Sequence, residues 1–323
     1  MTENNFTEVT LFILSGFSGH PELQVSFFLI FPFMSLFTVL SNLGIIILIR
    51  IDSHLHTPMY FFLSNLTFID ICYSSIVTPK ALTDFQSTQK SRAFIGCFVQ
   101  MYFFVGLVCT ECFLLESMAY DRYVAVCNPL LYSVIMSQKV CSWLGVTPYM
   151  TGFTSSLISI CVISSLPFCD SYINHFFCDT TALLALYCVD VFNTELVIFV
   201  LAGLTLLSSL LIITIIYLTI ISAILRIQSA ANRWKAFSTC ASHLTGVTVF
   251  YGSLIFTYLQ PDNTSSLTEA QVASVFYAIA IPTLKALIYR LRNKDVKNAL
   301  LRVSHRIFFS VTNHENCNLK RPG

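Results

Sequence analysis

The sequence predicts an all-α membrane protein, a seven-transmembrane-helix bundle with a short amphipathic C-terminal helix, on three observations. The 323 residues are 55% hydrophobic and only 11% charged, with a mean hydropathy of +0.72, whereas charged residues make up about a quarter of a soluble domain. Seven apolar stretches each approach the roughly 20 residues needed to cross the hydrocarbon core of a bilayer. Lys and Arg gather on one side of those stretches, as residues that resist translocation do. The net charge of +1 brings no strongly basic patch, which argues against a nucleic-acid partner.

The expected spans, in order, are 25–49, 59–77, 94–120, 140–166, 196–225, 236–259 and 272–289. Short segments separate them, so one bundle is expected, without repeats or a second domain. Residues 1–24 form an extracellular tail, 25–290 the membrane domain, and 291–323 a juxtamembrane helix and cytoplasmic tail. No cleavable signal pattern precedes the first span, which is expected to act as its own insertion signal. With the N-terminus outside, the cytoplasmic side holds Arg50, Arg122, Lys139, Arg226, Arg233, Lys235, Arg290, Arg292, Lys294, Lys297, Arg302, Arg306, Lys320 and Arg321. The outside holds only Lys80, Lys90 and Arg92, and Lys285 falls within the membrane. Beyond the last span, Val296 and Leu300 share a helical face, so a short helix on the inner leaflet is expected, its basic residues favouring anionic lipid.

The outer face carries the sequon Asn5-Phe6-Thr7 on the tail and a second at Asn263; the first is the expected glycosylation site. Asn65 also heads a sequon but lies inside the second span. Cys97, Cys169, Cys178 and Cys188 make an even set on the side where thiols oxidise, and spacing leaves their connectivity open. Cys109 and Cys112 form a C-x-x-C inside the third span, where packing is a better reading than metal binding.

Polar groups inside the spans are the candidate functional residues, because isolated charges in lipid are costly. Asn42, Asp70 and Glu111 lie about halfway across on three different helices. Glu111 and Arg122 are eleven residues apart, about three helical turns, so both point inward. Asp121-Arg122-Tyr123 ends the third span; taken alone, it is read equally well as a functional pair or as an arginine snorkelling to the interface.

The residues that follow decide the matter. Met118 to Tyr132 runs without a break through Asp-Arg-Tyr, Asn128-Pro129 and Leu130. Leu55-His56-Thr57-Pro58-Met59-Tyr60 opens the second helix, Lys235-Ala236-Phe237-Ser238-Thr239-Cys240 and Ser242-His243 the sixth, followed by Val249-Phe250-Tyr251-Gly252. Leu287-Ile288-Tyr289 and Leu291-Arg292-Asn293-Lys294 close the set. In these motifs, spread over nearly the whole chain, the sequence resembles the olfactory receptors, rhodopsin-like seven-helix G-protein-coupled receptors.

The resemblance implies disulfides Cys97 with Cys178 and Cys169 with Cys188, and an Asp121–Arg122 pair that opens on activation beside Tyr123, Tyr217, His243 and Tyr289. A buried structural histidine is an equal reading of His243. The ligand wall comprises Phe104, Val105, Val108, Cys109 and Cys112 on the third helix. The resemblance adds Ala202, Thr205 and Leu206 on the fifth, Tyr251, Leu254, Ile255 and Tyr258 on the sixth, and Val275 and Ala278 on the seventh. Such a wall suits a small hydrophobic odorant held chiefly by burial. The implied partner is a stimulatory, olfactory-type heterotrimeric G protein that raises cyclic AMP, at the plasma membrane. No cofactor and no enzymatic chemistry are expected.

The chain departs from its family at Lys285-Ala286, where Asn-Pro is usual before Leu-Ile-Tyr. The resemblance implies a sodium site at Asp70 and Glu111; Lys285 is expected to pair with one or both of these acids as a tethered cation in place of sodium, because an unpaired charge there would cost several kcal/mol. Glu116 and Arg290 are further departures, and Pro282 is placed to retain a bend. A second reading follows, a receptor-like chain whose signalling is impaired by the Lys285 lock. A lysine in the seventh helix also suggests a retinal protein, but opsin-like receptors place it nearer the outer face, at Ile279 here. A transporter would show helices broken at corresponding positions, and none is visible.

Overall fold

The computed structural model describes residues 11–14, 21–86, 91–168, 170–173, 178, 180–184, 186–187, 192–258, 282–285 and 296–304. Within these, six long helices are present: α1 Pro21–Ile51, α2 Pro58–Gln86, α3 Phe94–Cys127, α4 Gln138–Ser164, α5 Phe192–Leu225 and α6 Ala230–Tyr258. Five of them, α1 to α5, are long and apolar enough to cross a membrane. The half of α6 that carries Arg233, Ser238, Thr239, Ser242 and His243 is too polar to join them by composition alone.

Most helices outrun their apolar stretches, because backbone hydrogen bonding continues past the hydrocarbon core until a turn residue stops it. Pro58 starts α2, where its missing N–H is not needed, and α3 runs on to Cys127 before Pro129 ends it in a turn at Pro129–Leu131. Of the seventh expected span, only the helical turn 282–285 lies within the described residues. The expected C-terminal helix is present at 296–304, where Val296 and Ala299 are buried, Leu300 and Val303 pack on the core, and Leu301 is exposed.

The third helix is the axis of the bundle. Its span is 67% buried inside the protein, against 17% for α5 and 28% for α1, whose exposed Leu and Phe side chains suit contact with lipid. Close approach of α3 and α4 depends on missing side chains. A Cβ at Gly152 would lie 2.7 Å from the Thr110 backbone nitrogen and 2.8 Å from the Gly106 carbonyl, and one at Gly106 would meet the Phe153 ring at 2.7 Å. With backbones this near, hydroxyls bond across: Ser156 donates to the Tyr102 carbonyl at 2.8 Å and Ser117 to the Leu144 carbonyl at 3.1 Å. Small residues at such seams are the usual basis of helix association in lipid, where burial from water supplies no drive.

One end of the bundle carries a small sheet that the sequence pattern does not announce. Strand β1 (Leu11–Leu14) pairs antiparallel with β2 (Ser91–Ala93) and parallel with β3 (Tyr172–Ile173), so that it is the middle strand. The disulfide Cys97–Cys178 lies beneath it, in a second core cluster with Phe12, Phe98, Met101, Ile163, Ile173, Leu183 and Leu186. Cys169, Cys188 and Asn5 lie outside the described residues, as do Val275, Ala278, Tyr289 and Arg290. At the opposite end, Asp52 caps the turn Ser53–Leu55 and binds Arg302 of the 296–304 helix.

Candidate functional site

Three buried polar groups line the axis of the bundle, from its middle toward the Asp121–Arg122 end. The first is ionic. Lys285 brings its Nζ to 2.7 Å from Asp70 Oδ1 of α2 and donates to Glu111 Oε1 of α3, and all three side chains are almost wholly enclosed. The rings of Tyr73 and Phe250 stand 5.9 and 5.7 Å from the ammonium, within cation–π range. Asn42 donates to the Thr38 carbonyl, and Thr38 and Thr283 share a hydroxyl contact of 2.6 Å that ties α1 to the 282–285 turn. The oxygens Asn42 Oδ1, Asp70 Oδ2 and Glu111 Oε2 accept no hydrogen bond from the described residues. Two carboxylates therefore face one ammonium.

The second group joins α3, α5 and α6. Ser209 Oγ and Tyr251 Oη lie 2.6 Å apart, and Ser209 also donates to the Leu206 carbonyl at 3.1 Å. Cys112 is buried beside them. Glu116 lies one turn further along α3, partly buried, with Oε1 enclosed and no hydrogen-bond partner among the described residues.

The third group lies at the end of α3. Arg122 Nη2 stands 3.3 Å from Asp121 Oδ2, and the Tyr132 hydroxyl donates to Asp121 Oδ1 at 2.7 Å. Burial and then the Asp121 carboxylate push the Tyr132 hydroxyl well above its ordinary range. Opposite, Tyr217 of α5 and His243 of α6 hydrogen-bond at 2.6 Å and stack their rings. Tyr123 is partly exposed against Tyr120. At the same end, Asp52 accepts from Arg302 Nε and Nη2 at 3.0 and 2.7 Å and meets the His54 N–H and ring nitrogen. The Arg302 hydrogen bond, opposed by burial and aided by His54, holds the Asp52 carboxyl down at about 2.

The expected ligand wall is only partly enclosed. Phe104, Cys112, Tyr251 and Leu254 belong to the main core, with Val108 and Leu206 packed against it, while Val105 packs against the disulfide-end cluster. Cys109 is half-buried, and Thr205 is buried with its hydroxyl turned to the Leu201 carbonyl at 2.9 Å. Ala202 and Ile255 have exposed side chains, so these two are not drawn into the bundle with the rest. The side chain of Tyr258 lies outside the described residues. The roles missed by sequence reading are those of Phe12, Gly152 and Arg302, whose partners lie far along the chain, and of Tyr132, whose partner Asp121 is eleven residues away.

The chain matches the olfactory receptor family over residues 31–306. It is 79% identical over 309 residues to olfactory receptor 8I2 of Homo sapiens, covering 96% of this chain and 100% of that one. It is 53% identical over 307 residues to olfactory receptor 8H1 of Homo sapiens (95% and 98% covered) and 53% identical over 301 residues to olfactory receptor 5G9 of Mus musculus (93% and 96% covered). With α3 as its axis and buried polar groups along it, this chain belongs to the olfactory receptor family, and is thus an all-α, seven-helix, multi-pass plasma-membrane receptor of the rhodopsin-like class with no enzymatic function.

Proposed function

We propose that the chain binds a small hydrophobic odorant between α3, α5 and α6, on the disulfide side of Tyr251, and passes the signal to a stimulatory, olfactory-type heterotrimeric G protein that raises cyclic AMP. The disulfide end and the N-terminus face outward, in keeping with oxidised cysteines there and the Lys and Arg residues gathered at the other end. Phe104, Val105, Val108, Cys109, Leu206 and Leu254 supply the apolar wall, with Val275 and Ala278 completing it. The observation that carries the reading is the Asp121–Arg122 pair, held by Tyr132 and facing the Tyr217–His243 contact between α5 and α6.

Odorant binding moves α6 away from α3, the Tyr217–His243 contact shifts, and the Arg122 guanidinium is released to the G protein. Lys285 takes the place of sodium at Asp70 and Glu111. The Cys169–Cys188 bridge and a glycan on Asn5 complete the outer face. Cyclic AMP measured in cells carrying the chain and the olfactory-type G protein, against a broad odorant panel, tests the proposal. An odorant that raises cyclic AMP is expected, with the response lost in Arg122→Ala at equal surface level. A response that persists in Arg122→Ala would remove the assigned role.

A further inference from the structure

We propose that Phe12 is a positioning residue for the roof of the ligand site: strand β1, from the N-terminal segment, holds Phe168 and Tyr172–Ile173, which lie between α4 and α5, against the head of α3. The proposal rests on the ligand site assigned above. Strand β1 lies between β2 and β3, which do not pair with each other among the described residues. β1 thus bridges the strand at the head of α3 to Tyr172–Ile173, aided by the Ile13 N–H bond to the Ser171 carbonyl at 2.7 Å.

Strands this short are not stable singly, so a buried side chain of β1 is needed to seat them. Phe12 is fully buried, stacked on Phe94 at 5.5 Å and edge-on to Phe168 at 5.4 Å, and Phe168 in turn lies 4.5 Å from Tyr187. Val105 of α3, on the expected ligand wall, and Ile198 of α5 pack against this same cluster. The disulfide fixes the segment at Cys178 alone. Phe168 and Ile173 are held by packing, Phe168 against Phe12, Phe94 and Phe98, and by β1, and Phe12 is the N-terminal part of that anchorage.

The test measures access and needs neither odorant nor G protein. Val108→Cys is placed on the wall of the full-length receptor at the cell surface and labelled with a membrane-impermeant cationic methanethiosulfonate. The unsubstituted chain supplies the background. Adding Phe12→Ala is expected to speed labelling about tenfold at matched surface level, with Phe12→Leu returning most of the protection. Equal rates with Phe12 and with Ala would overturn the proposal.

Should Phe12→Ala not reach the surface, a cross-link decides. Ile13 and Tyr172 are partners in register, so Ile13→Cys with Tyr172→Cys is expected to form a disulfide and slow labelling of Val108→Cys below that of either single change. Absence of the cross-link, or labelling unaffected by it, would overturn the proposal. A chain that labels as expected yet never raises cyclic AMP would instead count against the signalling assignment.

Discussion

Replacing Lys285 with Met keeps most of the side-chain volume and removes the charge, leaving Asp70 and Glu111 buried with like charges and no counter-ion. At 2.7 Å and an effective dielectric of about 20, the Lys285–Asp70 attraction is about 6 kcal/mol gross, most of it offset by desolvation. Breaking a buried pair from one side costs about 3–5 kcal/mol because the survivor stays buried. Loss of the Tyr73 and Phe250 ring contacts adds about 1 kcal/mol more. Thermal unfolding of the purified receptor in nanodiscs, followed with a thiol-reactive dye, should show Tm lower by about 10 °C. The triple variant Lys285→Met, Asp70→Asn, Glu111→Gln removes the stranded charges and should recover most of that loss. A single variant as stable as the parent, or a triple variant no better than the single, would refute the reasoning.

Gly152→Ala should cost about 1–3 kcal/mol by overpacking and lower surface level and Tm, whereas Gly44→Ala, with nothing within 4 Å of the new Cβ, should do neither; equal effects would deny the α3–α4 seam. Because the Asp52 carboxyl is depressed from 3.8 to about 2, its contribution is complete above the ordinary carboxyl value and lost as pH falls through the depressed one. The Tm gap between the parent and Asp52→Asn should therefore hold steady from about pH 7 down to about pH 4 and close toward pH 2; a gap that closes already above about pH 4 would refute the assignment. Tyr132→Phe removes a hydrogen bond to a carboxylate, a loss of about 1.5–3 kcal/mol, and should raise odorant-independent cyclic AMP; an unchanged basal level would mean that Tyr132 does not restrain the Asp121–Arg122 pair.

The helices were legible because a membrane span needs a long apolar run, and such runs are visible in one dimension. Their ends were less so. The mixed residues from Thr78 to Gln86 continue α2 without a sustained apolar run, and α6 begins at Ala230, inside a polar stretch. Asp70, Glu111 and Lys285 stood out as ions in a greasy background, and the distances among them belong to the fold alone. Strand β1 was invisible because four apolar residues in a tail carry no periodicity, and its partners lie in segments far along the chain. Arg302 reads as one more basic residue of a tail, since its partner Asp52 is 250 positions away. Gly152 looks like any helical glycine until the Thr110 backbone is seen against it.

The seam between α3 and α4 has a mechanical consequence. Two rods locked by backbone-to-backbone contact and by hydroxyls spanning the gap cannot roll or slide against each other without collision. They form the chassis of the receptor. Among the described helices, α5 and α6 meet each other instead through side-chain tips such as Tyr251 on Ser209 and Tyr217 on His243, joints that can part and re-form within thermal reach.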